Sequence, residues 1–279
     1  MGLLLLLLLA PLGLYLCACA LVYGMQARFI FQPRRGRPLP PEVWDSLRAE
    51  AIALPVGRRQ RLNGWWLPTP GADRAILFCH GNCGFGLESE TRFRLLQDQG
   101  WSILAFEYRG YGASSGPFPN EHRSYADAEV ALADLQQRSG LPLSRISIYG
   151  YSLGGAIAVE LATRHPQLGG LILEGTFTRI RDMMRLDRRF GLFPERLLHQ
   201  HFDSLGKLPQ LTLPLLLIHG EQDRDVPVAM SQALFLRAAG PKQLCIVPEA
   251  DHHNLPLVGE ALLGQSLRRF QDLLHCNAR

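Results

Sequence analysis

Residues 150–154 read Gly-Tyr-Ser-Leu-Gly, with the β-branched run ISIY before them and the alanine-rich AIAVELA soon after. A serine placed this way can cap a helix or act as a nucleophile. G-x-S-x-G between a strand and a helix is the context in which the serine rides a sharp turn and projects its hydroxyl into a site. Glycines two residues to either side let strand and helix approach without a Cβ clash. A serine hydroxyl is a weak nucleophile at neutral pH, so the chemistry also needs a histidine to take its proton and a carboxylate to fix that histidine's tautomer. Both are expected later in the chain, acid before base. EQDRDVP (221–227) offers Asp223 and Asp225, and ADHHN (250–254) offers His252 and His253.

Elements that could position these residues are legible around them. AIALPV and LNGWWLP read as two opening strands about a turn. AILFCH (75–80), WSILAFEY (101–108), RISIYG (145–150), GGLILEG (169–175), LPLLLIHG (213–220) and QLCIVPEA are short apolar runs separated by helical patterns, the last of which ends near Leu274. Strands this apolar, alternating with helices, predict an α/β fold with a mainly parallel central sheet covered on both faces. Sites in such sheets lie at the carboxyl ends of strands. His80, Ser152, Asp223 and His252 all follow predicted strand ends. The stretch from about 176 to 213 breaks the alternation and predicts a short helical cap. It interleaves Arg179, Arg181, Arg185, Arg188 and Arg189 with Phe177, Ile180, Met183, Met184, Leu186 and Phe190. That pattern suits either an amphipathic face meeting lipid or an acyl chain, or an ordinary solvated helix whose apolar side roofs the site.

The N-terminus is of another kind. Residues 2–25 carry no charge and are long enough to cross a hydrocarbon core, which takes about 20 apolar residues. A cleaved signal peptide would begin with a basic segment, whereas here the first charge is Arg28, so a single-pass membrane anchor over 1–25 is expected. Leu16-Cys17-Ala18-Cys19 only loosely matches a lipoprotein cleavage site. Gly2 lacks the Ser or Thr that myristoylation wants at position 6, which is Leu6. Arg28, Arg34, Arg35 and Arg37 then place the body on the cytoplasmic side by the positive-inside rule. A basic, proline-rich juxtamembrane segment (26–50) leads into one globular domain over 51–279. The six cysteines form no disulfide framework, and a net charge of +4 is too small to imply nucleic acid. Cys79, His80 and Cys83 lack a second ligand pair at zinc spacing, so no metal is expected and core thiols are the simpler account. GNCGFG lacks dinucleotide spacing, and no cofactor is expected.

HGN (80–82), YRGYGASSG (108–116), GYSLGG (150–155), HGEQDRDVP (219–227) and ADHHN (250–254) together resemble the α/β-hydrolase superfamily, and within it the membrane-anchored serine hydrolases related to depalmitoylating enzymes and their bacterial relatives. The resemblance runs from about Ile52 to Leu274. It implies an α/β-hydrolase fold, with Ser152 as nucleophile and the first aspartate of HG-x-x-D-x-x-VP, Asp223, as the acid. Asp225 then reads as a solvated loop residue. The histidine of such families commonly follows a glycine. Here Asp251 stands at that place and the histidine is doubled, so His252 is taken as the base with His253 as its alternative. Backbone N–H groups of Leu153 and Asn82 would form the oxyanion hole, with Cys83 a neighbouring donor and His80 a structural brace. The reaction implied is hydrolysis of a carboxylic ester or thioester on a small acyl ester or acylated substrate, with membrane lipid met through the anchor. A peptidase of the same fold and a catalytically silent, membrane-tethered binding protein are the alternatives. The oligomeric state is not legible.

Overall fold

A computed structural model of the chain describes residues 2–33 and 39–277. The arginines at 34, 35 and 37, on which part of the orientation argument rests, lie outside the described residues. The chain opens with a long helix, α1 (Gly2–Ile30), and a short one, α2 (Pro41–Ser46). Helix α1 runs five residues past the uncharged stretch, and over Leu9–Ile30 it is long and apolar enough to cross a membrane.

Eight strands then form one sheet: β1 (Glu50–Val56), β2 (Gln60–Leu67), β3 (Arg74–Cys79), β4 (Trp101–Phe106), β5 (Ile146–Tyr151), β6 (Gly170–Glu174), β7 (Leu215–Gly220) and β8 (Lys242–Val247). Their spatial order is β1-β2-β4-β3-β5-β6-β7-β8. The first two strands make an antiparallel hairpin and β2 runs antiparallel to β4, while every later pairing is parallel. Every residue of β3 to β7 is buried, which is why these segments read as continuous apolar runs rather than alternating ones.

The covering helices are α3 (Glu88–Asp98), α4 (Glu121–Ser139), α5 (Leu153–Arg164), α6 (Ile180–Leu186), α7 (Ser204–Lys207), α8 (Ala229–Arg237), α9 (Leu255–Val258) and α10 (Glu260–Asn277). One face of the sheet packs against α4, α5 and α8 through residues such as Leu132, Ile157 and Leu234. The other packs against α3 and α10 through Phe93, Leu267 and Phe270. Asn120 sets the start of α4 by accepting the Arg123 N–H at 2.9 Å, and Gly140 ends it in the left-handed conformation.

The cap is helical in short pieces. Ile180–Leu186 and Ser204–Lys207 are α-helical, and Arg188–Phe190, Glu195–Leu197 and Leu208–Gln210 are single 3₁₀ turns. Gly191 and Pro194 between them interrupt any longer helix. The expected basic face is also largely neutralised. Arg179 pairs with Asp203, Arg185 with Glu195 and Arg189 with Asp187, so the arginines knit the cap instead of projecting a uniform charge.

Candidate active site

Ser152 stands between the end of β5 and the start of α5, with φ 53° and ψ −118°. This is sparsely populated backbone for a residue with a side chain, and the surroundings hold it there. The Ser152 N–H donates to the Glu174 carbonyl at 2.8 Å, and the Thr176 hydroxyl donates to the Ser152 carbonyl at 2.8 Å. The glycines on either side are sterically required. A Cβ on residue 150 would lie 2.5 Å from the Gly154 carbonyl oxygen, and one on residue 154 would lie 2.0 Å from that of Cys79. The serine is not a capping residue: its side chain accepts no N–H of α5.

The hydroxyl is engaged elsewhere. His252 Nε2 is 3.0 Å from Ser152 Oγ, and His252 Nδ1 is 2.6 Å from Asp223 Oδ2. All three residues are buried at the carboxyl ends of β5, β7 and β8. Asp223 Oδ1 accepts the N–H groups of Asp225 (2.9 Å) and Val226 (2.8 Å), which fixes the carboxylate toward His252. Burial alone would raise the Asp223 pKa. The hydrogen bonds from His219 and His252 outweigh it and hold the group well below the ordinary carboxylate range, so it is charged throughout the physiological range.

The alternatives left by the sequence separate in space. His253 is an exposed side chain that meets the His252 ring edge to face at 5.2 Å, and its Nε2 lies 3.2 Å from the exposed carboxylate of Asp225 instead of reaching Ser152. Asp251 has its own task. It accepts the N–H groups of His253 and Asn254, each at 2.8 Å, while Asn254 Oδ1 accepts the Asp251 N–H at 2.8 Å, and this closed turn presents His252.

On the loop after β3, His80 Nδ1 lies 2.7 Å from the Gly81 carbonyl, and its Nε2 accepts the Tyr108 N–H at 3.4 Å. Burial pushes its pKa down to about 4, so it is a neutral brace. Tyr111 donates to the Asn82 carbonyl at 2.8 Å and Gln32 N–H to the same oxygen at 2.9 Å, which turns the Asn82 peptide so that its carbonyl is spent on the scaffold. Among the described residues the Asn82 N–H has no acceptor. Leu153 opens α5, where an N–H has no intrahelical partner. Both residues line the same cavity as Ser152 and His252. Burial lifts the Cys79 thiol to about 12, as suits a core residue.

Sequence reasoning missed three supports. His219 is fully buried between Ser231 (2.6 Å) and the Val226 carbonyl (2.8 Å), with its Nε2 also 3.3 Å from Asp223. Beneath the serine, Arg92 and Glu174 form a fully buried pair at 2.5 Å. Tyr149 donates to the same carboxylate, and the guanidinium sits 4.2 Å from the Tyr151 ring centre. Tyr151 in turn donates to the His252 carbonyl at 3.0 Å. The third is α1, whose last turns line the cavity. That cavity has a volume of about 1100 Å³ and opens over Ser152 beneath Met183, Met184 and Phe190.

Comparison with known proteins gives a consistent result. A family model described as "Serine aminopeptidase, S33" matches residues 70–207, a span that includes Ser152 but stops short of Asp223 and His252. The chain is 32% identical over 260 residues to an uncharacterized protein of Mycobacterium tuberculosis, covering 89% of this chain and 88% of that one. It is 33% identical to the human α/β hydrolase domain-containing protein 17B, over 74% of this chain and 70% of the relative. Among solved structures, an esterase of Pyrococcus furiosus superposes with a TM-score of 0.70 at 19% identity, over 86% of this chain and 98% of that one.

Proposed function

The chain belongs to the α/β-hydrolase superfamily, and we propose that within it the protein is a serine hydrolase that cleaves carboxylic ester or thioester bonds. One observation carries this reading: Ser152 Oγ, His252 Nε2 and Nδ1, and Asp223 Oδ2 form an unbroken hydrogen-bonded line at the floor of a large cavity.

In the first half of the reaction Ser152 Oγ attacks the acyl carbon and its proton passes to His252 Nε2. The negative charge that develops on the carbonyl oxygen is met by the Leu153 and Asn82 N–H groups. The bond to the alcohol or thiol then breaks, and the leaving group takes the proton from His252. In the second half a water attacks the acyl-serine, gives its proton to His252, and the proton returns to Ser152 as the acid is released. Asp223 remains ionised throughout and stabilises the imidazolium. No step calls on a metal or organic cofactor. Helix α1 serves as a membrane anchor, with the hydrolase body on the cytoplasmic side.

A fluorophosphonate probe tests the reading directly on the full chain in detergent. Labelling that is lost in Ser152→Ala and strongly reduced in His252→Ala is the expected result. A folded protein that takes no label would sink it. The family description makes a peptidase the second reading. Two of the acids that line the cavity are already paired with arginines, Asp187 with Arg189 and Glu88 with Arg92 at 3.8 Å, which leaves Asp225, beside His253, as the acid an amine would need. Turnover of aminoacyl amides faster than of acyl esters would reverse that preference.

A further inference from the structure

One stripe of α1 faces the rest of the chain. Tyr15, Cys19, Val22, Gln26, Phe29 and Ile30 recur at helical spacing; Cys19 and Gln26 are buried and Val22 and Ile30 half-buried, while Tyr15 and Phe29 stay partly exposed at its ends, and this face is the one that meets the cap and the cavity. Gln26 is a polar residue near the end of an apolar helix, yet it is only 4% exposed. Its amide donates to the Leu197 carbonyl at 2.9 Å and accepts the His199 N–H at 2.9 Å, and so grips the cap backbone from both sides. Phe29 meets Phe190 edge to face at 5.2 Å, and Tyr23 lies against His199 at 4.8 Å. Nearer the start of the helix, Tyr15 donates to the Leu192 carbonyl at 3.0 Å, so the cap runs alongside α1 from Tyr15 to Phe29. At 1.5 Å per residue that is roughly 21 Å of helix. The cap's Leu186 and Leu192 sit beside this helix exposed, Leu192 by 82%. Large exposed apolar side chains that flank a membrane-crossing helix belong in the bilayer interface.

We infer that α1 is a wall of the acyl-binding site as well as an anchor. The substrate's long acyl chain enters laterally from the bilayer, between α1 and the cap, and lies against Val22, Phe29 and Ile30 with its carbonyl at Ser152. These residues line the same cavity as the serine and histidine, so an α1 that crosses the membrane brings that side of the cavity to the bilayer. Chain-length preference therefore resides partly in the anchor helix. This inference rests on the serine hydrolase reading and on α1 crossing the membrane.

The test uses the full chain in lipid nanodiscs, with each preparation counted by fluorophosphonate-titrated sites. The kcat/KM for p-nitrophenyl hexadecanoate is compared with that for the butanoate. Val22→Trp and Ile30→Trp fill the wall, Gln26→Leu releases the cap, and Leu21→Trp places the same bulk on the outward face of α1, where Leu21 is exposed. The hexadecanoate-to-butanoate ratio is expected to fall about tenfold or more in the two wall variants and to fall also in Gln26→Leu. In Leu21→Trp it should stay within about twofold. Ratios unchanged in both wall variants, with sites still titrating, would overturn the role of α1 and leave the hydrolase reading intact. A parent chain that neither titrates nor hydrolyses either ester overturns both.

Discussion

Ser152, His252 and Asp223 are expected to differ in what their loss costs. In the proposed mechanism, loss of Ser152 or His252 leaves the acyl transfer with no nucleophile or no proton acceptor, and alanine at either place should lower kcat by at least about three orders of magnitude with the fold retained. Asp223→Asn keeps the shape but presents an amide where His252 Nδ1 needs an acceptor. A loss of about 10⁴-fold is expected, read by ester hydrolysis at neutral pH. His253→Ala should keep most of the activity, because its side chain pairs with the exposed Asp225 and not with Ser152. Asp223 also ties stability to pH. Its native pKa lies below that of the unfolded chain, near 3.9. Its stabilising contribution is therefore complete above about pH 4 and is lost as pH falls toward the lower native value. Acid unfolding followed by circular dichroism should be less steep below that point in Asp223→Asn than in the parent.

At the scale of elements, the turn between β5 and α5 and the pair beneath it make separate demands. Gly154→Ala would drive a methyl group into the Cys79 carbonyl, a backbone atom in a fully buried strand that has little room to yield. A loss of about 1–3 kcal/mol or more is expected in denaturant unfolding. Arg92→Met alone leaves Glu174 charged and buried and should cost about 3–5 kcal/mol. Replacing Glu174 by Leu and Tyr149 by Phe in the same chain removes the orphaned partners together and should recover most of that loss, a result the single change cannot give. The strands and the helix–turn contexts of Ser152, Asp223 and His252 were legible because parallel strands buried on both faces must be apolar along their length, and because glycine spacing marks the turn. Arg92, Glu174 and His219 were not legible. Each reads locally as an ordinary surface or loop residue, and its burial depends on a partner tens of residues away. The cap's irregularity had a local sign in Gly191 and Pro194, which the interleaved arginines and apolar residues obscured.

The whole molecule is organised so that its N-terminal helix and its catalytic body share a core. Phe31, one residue past α1, is 1% exposed and packs 5.9 Å from Phe202, whose backbone N–H is held by the buried Glu121 at 2.7 Å. Glu121 also accepts the His201 N–H and the Tyr125 hydroxyl, so α4 and the backbone at 201–202 meet at one carboxylate, and the end of α1 reaches them through Phe31 on Phe202. A flexible tether would show no such contacts, and a chain cut within it would lose nothing but its membrane attachment. Here a body beginning at residue 33 loses Phe31 and Gln26 along with α1, whereas one beginning at residue 26 keeps both. Deleting a buried phenylalanine side chain costs about 3–5 kcal/mol, and freeing the Leu197 and His199 backbone groups adds to it. The shorter body is therefore expected to unfold at distinctly lower denaturant concentration than the longer one. Equal midpoints would mean that the helix end rests on the cap without stabilising it.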